Sequence, residues 1–206
     1  HVPIPILIEV KYEPLPEGFD LTPVIEDVDA AVLDTLDTEI RSVFDPDDVI
    51  EPDDVRGDAA SLVEAIESGG WPTVEESLGT VYFVLDNADD IDAAYREGAP
   101  QLEGRVMFTS AGAERPDGAV VKINEPEDGA VICAAVAAGR IVRTRADAGL
   151  IVDEERRDLA LGTGAQIVST DFPPGEADPT TGYVVELPGG ASSRPVAEAQ
   201  QSAAVC

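Results

Sequence analysis

The sequence is poor in the residues that most often bind metals or exchange protons near neutral pH. It contains one histidine, His1, and two cysteines, Cys133 and Cys206, among 206 residues. One histidine cannot build a histidine site, and the cysteines lack the spacing of a zinc site. Cys133 lies in an apolar helical run, which predicts a small buried core residue. Cys206 is the last residue and could pair in a longer protein.

Long hydrophobic runs are also absent. No run approaches 18 uncharged apolar residues, so no transmembrane helix is predicted. The chain opens directly into the strand-like segment 4–10, without a charged region followed by an apolar one, and no signal peptide is predicted for this chain. No predicted strand is followed by a glycine-rich phosphate-binding loop, which argues against a dinucleotide-binding fold.

Positive charge is scarce. The sequence has 42 aspartates and glutamates against 13 lysines and arginines, its net charge is −29, and its only lysines are Lys11 and Lys122. A surface this acidic repels nucleic acid and anionic membranes, which excludes both as default partners. Two explanations stay open: a high-salt habitat in which salt screens the self-repulsion, or weak cation binding along acidic loops. A solvated acidic surface is the simpler interpretation.

What the sequence does contain is an alternation of apolar strands and helical segments. An apolar share of 44% over 206 residues is enough for one sizeable core. The stretch 139–173 predicts a complete βαβ unit around a helix from Asp153 to Leu161. Strands are predicted at 4–11, 81–86, 105–109, 140–145 and 166–171, with a further extended piece at 119–123. This order predicts an α/β protein with parallel strands.

Apolar periodicity also predicts the other elements. Helices are predicted at 24–43, 60–68, 88–97 and 127–138, an acidic loop at 45–58, and a strand-like piece at 183–187. The apolar stripe of the first helix is predicted to be Val24, Val28, Val32, Leu36, Ile40 and Val43. Its acidic face, with Asp34 and Asp37, is predicted to be solvated. Trp71 is predicted to be a packing anchor, and Thr73 with Glu76 has the spacing of a capping box.

Polar or charged residues recur at the carboxyl ends of the predicted strands. They are Glu9 and Lys11, Asp86, Thr109, Arg143 and Arg145, and Ser169 and Asp171. In α/β proteins the chemistry takes place where the strands end. The pattern therefore suits a TIM-type barrel with its site at that end, although a closed barrel of this type needs eight strands and five are predicted.

Several segments resemble one known family. ILIEVK and the later GAQIVSTDFP are similar to the phospholipase C-like phosphodiesterase superfamily, whose members are TIM barrels. The closer resemblance is to calcium-dependent phosphatidylinositol-specific phospholipase C enzymes of the actinobacterial type. The segments that carry it are LDTLDTEIRSVFDPDDVIEPDDVRG, GGWPTVEESLGTVYFVLDN, LEGRVMFTS, VVKIN, AGRIVRTRADA and YVVELPGG, in the family's order over nearly the whole chain.

The resemblance implies an α/β fold that is a partial TIM (β/α)8-type barrel, from about strand 4 to strand 8. Residues 1–188 would be the C-terminal part of the catalytic domain, and residues 189–206 a flexible tail. The family's two catalytic histidines lie on its first three strands, which have no counterpart here, and His1 is assigned to neither. The resemblance therefore implies that this chain alone is inactive.

The implied activity is that of a calcium-dependent phosphoric diester hydrolase. It would cleave the glycerol–phosphate bond of a phosphoinositide by attack of the inositol 2-hydroxyl, with Ca²⁺ as the cofactor. The implied partner is a phosphoinositide or a related phosphodiester substrate, and membrane contact would be peripheral and made only through that substrate. The full-length protein would be a secreted monomer.

The same resemblance assigns roles to the strand-end residues. Glu9 matches a carboxylate that binds calcium, with an ion pair to Lys11 as the structural alternative. Lys11 lies two residues on, points to the same side of the strand, and can meet the substrate phosphate. Arg143 is expected to face the substrate, and Arg145 is expected to support it from behind.

Other roles for these residues stay open. The two arginines could instead form structural ion pairs with Asp86, Asp147 or Asp171. Asp86 could bind calcium, orient a catalytic group or anchor an arginine. Lys122 could reach the substrate phosphate or be an exposed lysine at the rim. The segment 169–171 is more often structural than substrate-binding at a last strand end.

Two other functions are compatible with the sequence. A glycerophosphodiester phosphodiesterase shares the E-x-K strand and a final TD-x-P strand, but RTRAD and WPTVEES argue against it. A non-catalytic acidic binding module would retain the barrel strands without the histidines. Paired histidines at upstream strand ends would favour the enzyme, whereas a start codon just before His1 would favour the binding module.

Overall fold

The computed structural model describes residues 1–11, 28–112 and 114–197. The part of the first predicted helix before residue 28 lies outside the described residues, as do residues 198–206 of the predicted tail. The strands are β1 (Ile4–Ile8), β2 (Val81–Leu85), β3 (Met107–Ala111), β4 (Val120–Lys122), β5 (Ile141–Arg145) and β6 (Ile167–Ser169). The helices are α1 (Ala30–Val43), α2 (Pro52–Arg56), α3 (Leu62–Glu67), α4 (Asp89–Tyr95), α5 (Gly129–Ala137) and α6 (Glu154–Gly162).

The chain divides into two compact units. The first unit contains residues 1–65 and 70–110, and the second contains residues 66–69 together with the chain from residue 111 onward. In the first unit β1, β2 and β3 are parallel, with Ile6 level with Phe83 and Phe83 level with Met107. β2 is apolar along its whole length and almost fully buried, as expected for a strand covered on both faces.

Aromatic rings pack on both faces of β2. The Phe83 ring meets Phe44, which follows α1, at 5.3 Å between ring centres. On the other face Tyr82 meets Phe108 at 6.2 Å, and Phe108 meets Trp71 at 5.3 Å. Trp71 is therefore a packing residue, as the sequence predicted. Such tilted and edge-to-face contacts favour one arrangement of the rings over others.

The buried side of α1 differs from the predicted stripe. Its buried residues are Leu33, Asp37 and Ile40, whereas Val43 is 76% exposed. The prediction that Asp37 lies on a solvated face is wrong. Asp37 is only 5% exposed because it accepts a hydrogen bond from the Tyr95 hydroxyl (2.6 Å) and lies 3.5 Å from the Arg105 guanidinium. A buried carboxylate is stable when it has such partners.

The segment predicted as an acidic loop at 45–58 contains regular structure. A 3₁₀ turn, Pro46–Asp48, precedes α2. Local pairing of charges explains the difference, because Arg41 donates two hydrogen bonds to Glu51 (2.8 and 3.0 Å). The amide of Glu51 also donates to Asp54 (2.8 Å), which caps the start of α2. The predicted pairing of Thr73 with Glu76 is confirmed, at 2.9 Å from the Thr73 amide to the Glu76 carboxylate.

The second unit contains the predicted βαβ unit. β4, β5 and β6 are parallel, with Lys122 level with Arg143 and Arg145 level with Ser169. α6 joins β5 to β6, and the Asp153 side chain caps its first turn by accepting from the Arg156 amide (2.9 Å). The apolar face of β4 and β5 packs against α5, through Val121, Val142 and Ile132.

Gly139 joins α5 to β5 at a position where any other residue would be strained. Its φ of +80° lies in the left-handed region, and an added Cβ would lie 3.1 Å from the Ile66 carbonyl oxygen. Glycine accepts that conformation without steric cost. The close approach explains why the short segment 66–69 belongs with the second unit.

Two predictions for the second unit are wrong. Residues 182–187 form no strand, although Tyr183 and Val185 are buried and the Val185 amide donates to the Phe172 carbonyl (2.9 Å). Cys133 is half-buried rather than a buried core residue, and it is disulfide-bonded. The sequence has one other cysteine, Cys206, which lies outside the described residues.

The predicted fold class is confirmed: the chain is an α/β protein, a partial TIM-type barrel whose parallel strands alternate with helices. Six strands are described where five were predicted as main strands, and β4 coincides with the extended piece predicted at 119–123. Among the described helices, the longest of which is α1 with 14 residues, none is long and apolar enough to cross a lipid bilayer.

Candidate functional site

In the first unit, Glu9 and Lys11 follow directly after β1. Their side chains form an ion pair of 2.5 Å, and they are 52% and 77% exposed. A pair this exposed contributes little to folding stability, because water screens both charges. The pair is therefore compatible with a binding role for either side chain.

The backbone between these two residues is held firmly. The Val10 amide donates to the Asn87 side-chain oxygen (2.7 Å), and the Asn87 side-chain nitrogen donates to the Val10 carbonyl (2.9 Å). The Asp86 amide continues the strand pairing by donating to the Ile8 carbonyl (2.7 Å). These three bonds fix where Glu9 and Lys11 leave the strand, although β1 itself ends at Ile8.

Asp86 lies at the end of β2 and accepts a hydrogen bond of 2.7 Å from the Ser110 hydroxyl. Because side chains alternate along a strand, Asp86 extends the face that carries Val84, and Ser110 the face that carries Phe108. Val84 and Phe108 are level with each other, so the two polar side chains meet on one face. Ser110 directly follows the strand predicted at 105–109, and no role is predicted for it from the sequence.

The described residues alone do not form a complete calcium site. Among them, no cluster of three or more acidic, histidine or cysteine side chains is arranged to hold a metal ion. Calcium takes six to eight oxygen ligands, and the carboxylates of Glu9 and Asp86 provide only a few of them. Their oxygen chemistry suits calcium, but their number does not complete its coordination.

In the second unit, three cationic side chains share one face of the strands. Lys122 is level with Arg143, and Arg145 lies two residues further along β5. In-register neighbours on parallel strands point to the same side, as do residues two apart. The opposite face carries Val121 and Val142 and packs against α5, so the cationic face is the one that this helix does not cover.

Arg143 is held in place by an asparagine. Arg143 is 8% exposed, and its guanidinium donates to the Asn124 side-chain oxygen at 2.5 Å. The Asn124 carbonyl in turn accepts from Arg156 on α6 (2.6 Å), and Arg156 also pairs with Glu125 (2.7 Å). This chain of contacts fixes Arg143 through a neutral amide. The sequence identified Arg143 but not Asn124 as its partner.

A cavity of about 270 Å³ opens at the carboxyl ends of β5 and β6. Arg143 and Arg145 line it, together with Asp147, Ala148, Gly149, Ser169, Thr170 and Asp171. A larger cavity of about 720 Å³, between α6 and the segment 184–194, contains none of the predicted site residues. The smaller cavity is therefore the place where the second unit brings predicted residues together.

Asp147 shapes the wall of the 270 Å³ cavity. Its buried carboxylate accepts hydrogen bonds from the Thr170 hydroxyl (2.6 Å), the Asp171 amide (2.6 Å) and the Tyr183 hydroxyl (3.1 Å). Burial and the hydrogen bond to Asp147 raise the pKa of Tyr183, so its hydroxyl remains a donor throughout the physiological range. The contacts of residues 170 and 171 with Asp147 are thus structural.

The structural alternative for the arginines receives no support from these two acids. In the described parts of the chain, neither Asp147 nor Asp171 forms an ion pair, and Asp171 accepts instead from the Leu150 amide (2.8 Å). No hydrogen bond or ion pair of Arg145 is found among those residues either. The Arg145 guanidinium is thus available to an anionic or hydroxyl-rich ligand in the cavity.

The strand-end residues of the two units offer different chemistry. The first unit presents carboxylate oxygens beside one lysine, which suits a hard cation. The second presents guanidinium groups, which suit phosphate or hydroxyl oxygens. On this cationic face Lys122 is half-buried and Arg143 is buried.

Comparison with known proteins gives a consistent assignment. A profile of the family described as phosphoinositide phospholipase C, Ca2+-dependent, matches residues 1–196. A calcium-dependent phosphoinositol-specific phospholipase C from Pseudomonas sp, in its apo form, has a similar structure, with a TM-score of 0.61 and 18% identity over 95% of this chain and 64% of that one. The calcium-dependent phosphatidylinositol-specific enzyme of Streptomyces antibioticus gives a TM-score of 0.57 and 20% identity over 82% and 64%.

A third structure, of the Pseudomonas sp enzyme described as a myoinositol complex, gives a TM-score of 0.51 and 16% identity over 70% of this chain and 51% of that one. Likeness at these identities concerns the fold, and this chain spans between about half and two thirds of the solved chains. No sequence among the curated proteins matches. Because the family profile covers nearly all of the chain, the chain belongs to the calcium-dependent phosphoinositide phospholipase C family.

Proposed function

We propose that this chain carries the phosphate-binding part of a calcium-dependent phosphoric diester hydrolase that acts on phosphoinositides. The observation that carries the proposal is the cationic face of the second unit. Lys122, Arg143 and Arg145 lie together there, in a chain whose net charge is −29. Grouping cations at strand ends in so acidic a protein suits the binding of an anionic substrate.

Arg143 is the principal phosphate contact in this proposal. Its position is fixed by Asn124, so little side-chain entropy is lost when it binds an oxyanion. Lys122, level with it on β4, adds a second positive charge for the same phosphate. For the first unit, considered by itself, Lys11 and Asp86 are proposed as substrate-binding residues, and Asp86 is held by the hydrogen bond from Ser110.

The reaction that the family implies is internal transfer of the phosphodiester. The inositol 2-hydroxyl attacks phosphorus, a new oxygen–phosphorus bond forms, and the bond to the glycerol oxygen breaks. The hydroxyl proton is removed, and a proton is delivered to the leaving oxygen. The residues of this chain bind and orient the phosphate as negative charge develops on it. No residue of this chain is assigned to proton transfer, and we expect the chain alone to be inactive.

Calcium belongs to the proposal through the family, and Glu9 is proposed as one of its ligands. The exposed carboxylate of Glu9, held at the end of β1, has the chemistry that calcium requires. Among the described residues, no cluster of acidic, histidine or cysteine side chains supplies the other ligands. We therefore assign to Glu9 a share in binding the ion and no step of the reaction.

We further propose that the full-length protein is secreted and monomeric. The disulfide at Cys133 supports an oxidising compartment, because cytosolic proteins rarely keep structural disulfides. The acidic surface supports the monomer, since strong like charge opposes association.

The proposal is tested by assaying the full-length protein on phosphatidylinositol vesicles with calcium or with a chelator. The expected result is release of the inositol phosphate head group with calcium and none with the chelator. Glycerophosphoinositol and glycerophosphocholine are assayed in parallel, to separate this activity from that of a glycerophosphodiester phosphodiesterase. Cleavage that does not need calcium, or no cleavage at all, would refute the proposal.

A further inference from the structure

Helix α5 carries no charged side chain, although the chain as a whole has a net charge of −29. Its sequence is GAVICAAVA, and a helix that is apolar on all sides is normally buried on all sides. Four of its residues are nevertheless exposed to solvent: Ala130, Val131, Ala134 and Ala137. Val131 alone is 54% exposed. Single exposed apolar residues are normal on protein surfaces, whereas a group of them on one short helix indicates a contact surface.

The exposed residues of α5 form one continuous face, because their spacing follows the turn of the helix. The opposite side is packed, since Ile132 is fully buried in a cluster with Val121 and Val142 of the strands. Within the described residues, α5 therefore has one packed side and one uncovered apolar side. We call the uncovered side the apolar face of α5, and it consists of Ala130, Val131, Ala134 and Ala137.

Cys133 lies at the border of the apolar face of α5. It is half-buried and disulfide-bonded. The chain contains one other cysteine, Cys206, which lies outside the described residues. The three residues before Cys206 in the sequence are Ala203, Ala204 and Val205, so this segment is as small and uncharged as the face itself.

We propose that Cys133 is bonded to Cys206 and that residues 203–206 pack against the apolar face of α5. The sequence alone predicted a flexible tail for residues 189–206, whereas this pairing holds the part of it next to Cys206. The segment fits the face in chemistry, since neither carries a charge in a chain with 42 acidic residues. Packing them together removes apolar surface from water on both sides of the contact.

The disulfide explains how so small a contact can be stable. An interface between separate proteins needs roughly 800 Å² from each partner, which four small side chains do not supply. A segment that is bonded to Cys133 cannot diffuse away, so its effective concentration at the face is high and a small apolar contact is enough. The size of the face therefore favours residues 203–206 over a separate protein.

Charge argues against a second copy of the chain as the occupant. Two chains with a net charge of −29 repel each other. Glu127 and Asp128, which directly precede α5, are both exposed. In a symmetric dimer through this face, the acids of both copies would lie near the contact and would oppose it.

The pairing also has a consequence for the second unit. The loop that the disulfide closes runs from residue 133 to residue 206 and contains β5, α6 and β6. These elements include Arg143 and Arg145, which line the 270 Å³ cavity. Closing a loop restricts the unfolded chain and so favours the folded one. Oxidation of the two cysteines therefore stabilises the part of the chain that holds this cavity.

The test makes two measurements on the full-length protein. Mass spectrometry of the unreduced protein identifies the peptides that are linked by disulfides. Titration with reduced and oxidised glutathione then measures an equilibrium in which the Cys133–Cys206 bond is reduced to two thiols while two glutathione thiols are oxidised to one disulfide. This equilibrium reports the effective concentration of one protein thiol at the other, which packing of residues 203–206 on α5 raises.

The test variant is Val131→Asp, which places a charge on the apolar face and leaves both cysteines in place. Val32→Asp is the matched control, because Val32 is 44% exposed and, like Val131, is the third residue of its helix. Each valine also follows an aspartate at the N-cap position of its helix, Asp29 or Asp128. A second variant, Val205→Asp, changes the segment instead of the helix.

We expect a peptide that contains Cys133 to be linked to one that contains Cys206. The equilibrium should shift toward the thiols by about fivefold or more in Val131→Asp and in Val205→Asp, and should be unchanged in Val32→Asp.

A bond from Cys133 to any other cysteine would overturn the proposal. So would equal equilibria in the wild type and the two test variants, because the segment would then be bonded to α5 without packing on it. Wild-type dimers in light scattering that Val131→Asp cannot form would overturn it as well, since a second copy would then cover the face. Neither measurement needs phosphodiesterase activity, so the result is independent of the proposed function.

Discussion

The strand ends of the two units resemble each other in construction and differ in charge. In each unit an asparagine that follows a strand holds the functional group in place, Asn87 in the first and Asn124 in the second. The Asn87 side chain forms hydrogen bonds with the backbone between Glu9 and Lys11, whereas the Asn124 side chain accepts a hydrogen bond from the Arg143 side chain. The first group is rich in carboxylate and the second in guanidinium, so the same kind of support serves two kinds of ligand.

This difference teaches how a very acidic chain can bind an anion. An uncharged amide orients Arg143, and an uncharged amide also holds the backbone between Glu9 and Lys11. The predictions below change one group at a time, in the full-length protein.

The largest effect is expected for Arg143→Lys. Lysine keeps the positive charge but loses the planar fork that binds two phosphate oxygens and the bond to Asn124. We expect kcat/KM on phosphatidylinositol to fall by about 100-fold, as for loss of other charge-stabilising groups. Arg194→Lys, a matched change in the same unit away from the strand ends, should have little effect. Equal activity of both variants would show that Arg143 is a structural residue.

Glu9→Gln tests the first unit. The amide keeps the size of the carboxylate but loses its charge, and calcium prefers charged oxygen ligands. The calcium concentration for half-maximal activity should rise by about tenfold, with the maximal rate less affected. Glu75→Gln, which changes an exposed carboxylate in the same unit, is the control. An unchanged calcium requirement would mean that Glu9 serves only as the ion-pair partner of Lys11.

A smaller effect is expected for Asn124→Ala, which removes the support of Arg143 and leaves its charge. We expect a loss of about tenfold in kcat/KM, since misplacement of a binding group weakens catalysis. Asn124→Asp restores a hydrogen-bond acceptor but places a negative charge beside Arg143. Its activity should remain low and should recover partly at high salt. Full activity of Asn124→Asp would show that the neutrality of the amide does not matter.

The smallest effect concerns stability and its pH dependence, at the buried acid of α1. Burial raises the pKa of Asp37 above its usual 3.8, although Tyr95 and Arg105 partly oppose the shift. The folded state therefore holds this proton to higher pH than the unfolded state. The contribution of Asp37 to stability falls as pH rises from about 3.8 through the raised value.

Asp37→Asn should remove that dependence, so the melting temperature of the variant relative to wild type should increase between about pH 4 and pH 7. Glu39→Gln, on the exposed side of the same helix, is the control. A constant difference across this range would show that Asp37 ionises alike in the folded and unfolded states.

Short-range pattern was enough to predict the βαβ unit and the residues at the strand ends. Alternation along β5 is enough to predict that Arg143 and Arg145 share one face. Periodicity misplaced the buried stripe of α1, because Asp37 is buried by partners 58 and 68 residues away. The acidic segment 45–58 looked like a loop because its charges, when paired locally, stabilise a short helix. Asn124 could be located at a strand end, but its bond to a residue 19 positions away depends on strand register.

Arg156 has a consequence for attempts to recombine this protein with its relatives. Arg156, on α6, donates to the Asn124 carbonyl and pairs with Glu125 and Glu127 before α5. A helix outside the strands therefore holds the residue that orients Arg143. α6 is therefore not a module that can be exchanged freely. A chimaera that takes this helix from another family member should work only if the arginine and the segment 124–127 are transferred together.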